Sequence, residues 1–331
     1  MSDLYKLQSS DLGRFIDNHV QADANFRDCC GEVIDTIVKH LQGISGKLKP
    51  KRVLKSGSLG KGTAVKERSD IDLVIMLNEY TEVEQLMKDM EQLLKSLKVH
   101  VLKLDKVKHQ KTTRYSVQIE TMCRKQHNHD VDILPAVDLL EAGRSTNDIF
   151  RKMASASPTD IHEYSVSLAP IQLEIIKQLP PKVKSLITLI KYWKVKYLKD
   201  ENEPEMPSLA EKRFDKPNWP TSYPFELVII SAWNDVGNPE NFDMAKALHA
   251  VLTSLINHRS FKIMLVKQMK YSSGLARNSK TPFIMDPANP FNDMYHGLVG
   301  GEAYDWENVV PEAKRWLSQP LFSGIEPSKR W

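Results

Sequence analysis

Residues 56–77 read SGSLGKGTAVKERSDIDLVIML, and the spacing inside this stretch decides the fold. Gly57-Ser58-Leu59-Gly60-Lys61-Gly62 predicts a tight turn whose backbone N–H groups can face a phosphate. It is not a Walker A loop. Lys55 stands where that motif needs its first glycine, and Gly62 follows the lysine where Ser or Thr should. Twelve residues after Ser58, Asp70-Ile71-Asp72 leads into a β-rich run over 71–77. Period-2 alternation puts Asp70, Asp72 and Val74 on one face and Ile71, Leu73 and Ile75 on the other. Two carboxylates side by side repel one another, and a divalent cation supplies the reason for keeping them.

A third carboxylate follows in HNHDVDILPAVD (127–138), where Asp130 and Asp132 again share a strand face. Carboxylates on neighbouring strands can hold two Mg²⁺ ions, with substrate phosphates and waters completing octahedral shells; Mn²⁺ suits the same donors. A lone Asp-x-Asp on an exposed strand needs no function. A Gly-Ser turn, a fixed gap, the Asp pair and a later strand Asp together predict a metal-dependent nucleotidyltransferase site at Asp70, Asp72 and Asp132. Asp130 reads as a solvent-facing companion.

Outward from this centre, periodicity predicts two helices between 12 and 43, strands at 52–55, 116–122 and 131–134, and a helix over 83–97. Helices then dominate: 171–177, 182–198, 225–234, 244–257 and 261–267. Between 200 and 222 a polar stretch with four prolines reads as a loop. Strands with helices first and helices nearly alone afterwards predict an α/β catalytic half over 1–160 joined to a helical half over 161–331, an α+β fold overall.

The 331 residues leave room for about two domains, with 41% hydrophobic and 27% charged residues, which argues against disorder and coiled coil. No apolar run approaches the ~20 residues of a membrane helix, so no membrane partner is expected. Three cysteines cannot build a disulfide framework, and a soluble cytoplasmic chain is expected. The net charge of +4 hides segregation. Residues 36–66 and 175–199 contain no acid; these windows carry +15 and the rest of the chain −11. Such segregation is the footprint of a polyanion surface, unless the two faces are merely solvated and never meet.

The stretches GSLGKGTAVKERSDIDLVI (57–75), VDILPAVD (131–138), KQLPPKVKSLITLIKYW (177–193), YPFELVIISAW (223–233) and IMDPANP (284–290) resemble the 2′-5′-oligoadenylate synthetases. That family is the double-stranded-RNA-activated branch of the polymerase-β-like nucleotidyltransferases, related to cyclic GMP-AMP synthase. The resemblance covers nearly the whole chain. It implies an antiviral, innate-immune reaction in which a ribose 2′-hydroxyl attacks the α-phosphate of ATP and pyrophosphate leaves. It also implies that Asp132 lies nearest the attacking hydroxyl, that Ser58 and Lys191 contact the triphosphate, and that Tyr223 stacks on a base. Gly57 and Lys61 belong to the same nucleotide-binding set, Lys61 with an RNA role as well. Arg14, Lys55, Lys61 and Lys177 match RNA-contacting positions, and Lys182 lies in the second acid-free window. Duplex RNA is read by shape, through phosphates and 2′-hydroxyls.

Departures accompany the match. Thr188 replaces a nucleotide-binding Arg, Ser222 a Gln before the stacking tyrosine, and Leu173 and Gln42 two RNA-contacting bases. Leu321-Phe322-Ser323 replaces an oligomerisation motif, so a monomer is expected. Thr188 and Ser222 keep open a second reading, a receptor-type enzyme that makes a cyclic dinucleotide. A third is a catalytically inactive RNA-binding module, against which the three aspartates argue. Lys191 can snorkel from an apolar helix rather than bind phosphate, and Glu226 can favour a helix dipole rather than position the site. His127, His129 and Asp130 spell a short cluster of a kind that can bind zinc, but a polar loop without a Cys-rich insertion argues against it; Cys29-Cys30 reads as helix packing.

Overall fold

The computed structural model describes residues 4–66, 70–140, 144–156, 158–199, 218–269, 271, 279–297, 303–325 and 331. In chain order, α1 (Leu12–Phe15) runs into a π-helical turn (Ile16–Val20), and α2 (Ala24–Gln42) follows. Next come β1 (Pro50–Lys55), α3 (Gly57–Lys61), β2 (Ile71–Leu77), α4 (Val83–Val101), β3 (Lys108–Thr112), β4 (Val117–Met122) and β5 (Asn128–Ala136). Helices α5 (Thr146–Ala154), α6 (Pro158–Ser167), α7 (Ala169–Lys177), α8 (Pro181–Trp193), α9 (Ser222–Asp235) and α10 (Met244–Ile256) precede strands β6 (Lys262–Ile263) and β7 (Phe283–Ile284), and α11 (Trp306–Leu317) closes the series.

Residues 22–178 form one compact unit, and residues 1–21 with 179–331 form another. The expected boundary at 160/161 falls inside α6. Helices α6 and α7 group with the sheet because Val166 and Ala169 pack on Val74, Met76, Leu134 and Ala136. The N-terminal 21 residues group with the helical unit, where Phe15 meets Tyr192 edge-on at 5.8 Å.

The sheet of the first unit has the order β1-β2-β5-β4-β3, with β2 and β5 parallel and every other pair antiparallel. Strand β2 coincides with the expected 71–77 run. Both its faces are covered: Ile71, Leu73 and Ile75 are at most 1% exposed, and Val74 and Met76 at most 2%. Helix α2 starts at Asp23, whose carboxylate accepts the Phe26 N–H at 2.8 Å. Its buried stripe of Cys29, Cys30, Val33, Ile34, Ile37 and Leu41 follows helical spacing. Helix α4 does the same with Val83, Leu86, Met90, Leu93, Leu94, Leu97 and Val101. A bidentate pair from Arg52 Nε and Nη2 to Asp138, at 2.7 and 2.8 Å, ties β1 to the segment after β5.

In the second unit, α8 begins with proline at its first position, and α10 is capped by Asp243 accepting from Ala245 N–H and Lys246 N–H. Two expectations change here. The 261–267 segment is not a helix: Lys262–Ile263 pairs in parallel with Phe283–Ile284, because its apolar residues alternate (Phe261, Ile263 and Leu265 are buried). The 182–198 helix breaks into a π-helical turn after Trp193. The polar segment 200–217 lies outside the described residues. No described helix is long and apolar enough to cross a membrane.

Candidate active site

Register builds the site. Asp72 and Asp132 are directly opposed on parallel β2 and β5, about 4.8 Å apart along the hydrogen-bonding direction. Asp70 precedes β2 on the Asp72 face. That face continues as Val74 and Met76 on β2 and Leu134 and Ala136 on β5, packed against Val166 and Ala169. The carboxylates therefore stand where a buried apolar face ends, partly buried at Asp72 and Asp132 and exposed at Asp70. Although the residue as a whole is exposed, protein crowded around its carboxyl strips some of its water, and this, and then the charges of Asp130 and Asp132, hold Asp70 above the ordinary carboxylate range.

Across the sheet, Gln118 on β4 opposes Asp132 and donates from Nε2 to Oδ2 at 3.0 Å. The other oxygen, Oδ1, is buried with no hydrogen-bond partner. A buried acceptor left bare costs about 1–3 kcal/mol, and a cation would relieve it. The glycine-rich segment is a short helix rather than an open turn. Ser56 N–H donates to the Asp72 carbonyl at 2.8 Å, fixing the start of α3 on β2, and Thr63 N–H returns to the Ser58 carbonyl at 2.9 Å. Gly57 has φ +56°, and a Cβ there would lie 1.7 Å from Asp72 Oδ2. A Cβ on Gly60 would lie 2.2 Å from the Lys55 carbonyl and 3.1 Å from Leu173 Cδ1. Leu173, 5% exposed on α7, is thus part of the seat of α3, which accounts for an apolar residue at that position.

All-oxygen donors, mutual repulsion and a bare buried oxygen fit a hard divalent cation held by Asp70, Asp72 and Asp132. Asp130, opposite Glu120 on β4, is exposed and accepts from Gln110 Nε2 at 2.6 Å.

The remaining nucleotide-set residues belong to the helical unit. Lys191 on α8 is 6% exposed and pairs with Glu226 Oε1 on α9 at 2.5 Å, Glu226 being 1% exposed. It neither snorkels nor stands alone, and Glu226 is an ion-pair partner rather than a dipole residue. Thr188, 2% exposed, turns its hydroxyl onto the Lys184 carbonyl at 2.8 Å. Ser222 and Tyr223 open α9, and Tyr223 Oη donates to Asp286 Oδ1 at 2.8 Å. Burial first, and then Asp286, push the Tyr223 phenol well above its ordinary value. Asp286 is fully buried in the 284–290 motif; it also accepts Ala288 N–H at Oδ1, and Tyr271 Oη donates to its carbonyl.

Of the basic candidates, Lys55, Lys61 and Lys177 lie in the sheet unit, at the end of β1, on α3 and in the last turn of α7; α3 packs on both β1 and α7. Arg14 and Lys182 lie in the other unit, and Lys182 Nζ sits 5.3 Å over the Phe242 ring. Other bases of the acid-free windows are engaged locally: Lys47 with Asp89, Arg52 with Asp138, and Lys66 with Asp23.

A family model for the C-terminal domain 2 of 2′-5′-oligoadenylate synthetase 1 matches residues 144–331, more than half of the chain. The chain belongs to the 2′-5′-oligoadenylate synthetase family. A nucleotidyltransferase-domain model matches residues 35–127, which include the glycine-rich segment, Asp70 and Asp72. The chain is 27% identical to 2′-5′-oligoadenylate synthase 2 of Mus musculus, over 96% of this chain but 44% of that protein, so it spans under half that relative's length. It is 26% identical to synthase 1A of Mus musculus, over 94% of this chain and 88% of the relative. Inactive 2′-5′-oligoadenylate synthase 1B of Rattus norvegicus is 27% identical over 97% and 87% of the two chains. Among solved structures, CdnC of E. coli MS115-1, in its HORMA-deltaN complex, superposes with a TM-score of 0.59 at 21% identity, over 94% of this chain and 90% of that one. That likeness establishes the nucleotidyltransferase fold.

Proposed function

We propose that this synthetase-family chain is a Mg²⁺-dependent, double-stranded-RNA-stimulated enzyme that makes 2′-5′-linked oligoadenylates from ATP. The observation that carries this reading is the opposed Asp72–Asp132 pair, with Asp70 beside it and Gly57 pressed against Asp72. A ribose 2′-oxygen attacks the α-phosphorus, the α–β bridging bond breaks, and pyrophosphate leaves. Asp132, whose Oδ1 is bare, would lie nearest the attacking hydroxyl and take its proton as the new P–O bond forms. Asp70, Asp72 and Asp132 would hold Mg²⁺, which when bound supplies neutralisation of the developing phosphate charge and acidifies the hydroxyl. Ser58 and Lys61 on α3 receive the triphosphate, whose negative charge suits the unbonded N–H groups of a helix start. Lys191 offers a cation that Glu226 now neutralises, and Tyr223 offers a ring whose hydroxyl Asp286 fixes. RNA contacts are assigned to Arg14, Lys55, Lys61, Lys177 and Lys182.

The test is one series of ATP incubations with Mg²⁺, with and without duplex RNA, followed by digestion with a 3′-5′-specific nuclease. Nuclease-resistant linear oligoadenylates that need RNA support the proposal. A single phosphatase-resistant dinucleotide overturns it in favour of a cyclising enzyme, and absence of any pyrophosphate release in favour of an RNA-binding module.

A further inference from the structure

Away from the aspartates, the described residues hold one group of three ligand-type side chains whose donor atoms all lie within 4.8 Å of one another: Cys29, Cys123 and His127. Cys29 is buried on α2 and Cys123 buried at the end of β4, while His127 is exposed at the start of β5. Cys29 Sγ lies 3.5 Å from His127 Nδ1. A tetrahedral zinc with bonds of about 2.3 Å to sulfur and about 2.05 Å to nitrogen sets that sulfur–nitrogen edge at about 3.6 Å. The pair already stands at ligand spacing.

Topology explains the convergence. Met122 opposes Asn128 in the β4–β5 ladder, so Cys123 and His127 form the next opposed pair. Cys123 N–H donates to the His127 carbonyl at 3.0 Å, and Gln126, with φ +64°, returns its N–H to the Cys123 carbonyl at 2.9 Å. Opposed residues of a hairpin point to the same face, here that of the buried Thr121 and His129. That face meets α2: Cys30 Sγ lies 3.7 Å from His129 Nδ1, and Arg124 N–H reaches Glu32 Oε1 at 2.9 Å. All three cysteines are free thiols, so no disulfide fixes the turn.

We propose that Cys29, Cys123 and His127 form a zinc site that clasps the β4–β5 hairpin to α2. Solvent takes the fourth position, on the exposed His127 side. Two sulfurs and one imidazole select zinc over the Mg²⁺ that suits the all-oxygen aspartate set. Binding deprotonates both thiols: Zn²⁺ displaces two protons, which pass to buffer, and no redox change occurs.

The test uses the full chain with Mg²⁺ in excess, so that the aspartates are not scored, and Zn²⁺ or Co²⁺ as the probe. Metal content is counted after dialysis, and Co²⁺ is followed by its thiolate charge-transfer absorption. One zinc per chain is expected, with a thiolate–cobalt band. Cys123→Ser should abolish the band. His127→Ala, at an exposed position, should keep the fold and weaken zinc by at least about tenfold. Asp72→Asn should retain zinc. Absence of the thiolate band, stoichiometric zinc in both Cys123→Ser and His127→Ala, or a Cys29–Cys123 disulfide formed in air despite added zinc would each overturn the site.

Discussion

Gly57→Ala probes the contact on which the proposed chemistry rests. The added Cβ would lie 1.7 Å from Asp72 Oδ2 and 2.5 Å from its Cγ, where real Cβ contacts stay above 3.0 Å. The carboxylate must therefore retreat by about 1.3 Å, or α3 must lift from β2 by as much. A displacement of ~1 Å at a reacting group costs about 10²-fold in rate, so initial pyrophosphate release should fall by at least ~10²-fold. A left-handed φ of +56° adds a backbone penalty that for a non-glycine residue is about 1–2 kcal/mol. Gly62→Ala separates the two effects, since Gly62 has φ +73° and nothing within 4 Å of its Cβ position. It should lose similar stability, a few degrees in Tm at ~2–4 °C per kcal/mol, and keep its rate. The assay is Mg²⁺-dependent pyrophosphate release with duplex RNA at saturating ATP, with thermal melts of all three proteins. A Gly57→Ala rate within about threefold of wild type refutes the reasoning, because the carboxylate would then not need its observed position. Equal rate losses in both variants refute it too.

Asp70→Asn should raise the melting temperature of the metal-free protein at neutral pH while abolishing synthesis. The native carboxyl keeps its proton to higher pH than the unfolded chain does, so stability falls as pH climbs from the ordinary aspartate value through the raised one, and the full loss is present at pH 7. Melts across pH with chelator check this; a lower melting temperature for the variant contradicts it. Glu226→Gln removes the carboxylate 2.5 Å from Lys191 Nζ and should destabilise the fold by at least about 1 kcal/mol in denaturant melts, whereas Lys191→Met with Glu226→Leu should recover much of that. A single-variant loss below about 1 kcal/mol would mean the lysine readily finds water. Gly31→Ala, with nothing within 4 Å in the middle of α2, should stabilise the fold by about 0.5–1 kcal/mol in the same measurement, and a destabilised variant would contradict the open space at that position.

Strong local periodicity was legible. The 71–77 strand and the long amphipathic helices come from one dominant signal, apolar residues repeating at 2.0 or 3.6. Where the signal weakens, so does the reading. Strand β3, Lys-His-Gln-Lys-Thr, is an edge strand with four of five residues exposed, so no apolar alternation marks it. Segment 261–267 has apolar residues that satisfy either period, and pairing with β7, twenty residues on, decides it. The unit boundary depends on where α6 and α7 pack, which no local pattern encodes.

The site divides the same way. Asp70, Asp72 and Asp132 announce themselves because acids inside apolar strands conflict with propensity unless something binds them. Their supporting groups carry no such conflict. Gln118 is an ordinary polar residue on a half-buried strand, and only the β4–β5 register sets it on Asp132. Asp286 is one residue of the 284–290 stretch, and only the fold shows that Tyr223, 63 positions earlier, donates to it. The Cys29–His127 contact spans 98 positions, and no local pattern marks it. Cys123 stands four residues before His127 in the chain, whereas Cys29 reaches them only because α2 packs over the hairpin. Ligands that share one hairpin face can be read as a C-x₃-H pair, but the third comes from a helix whose docking is a tertiary fact.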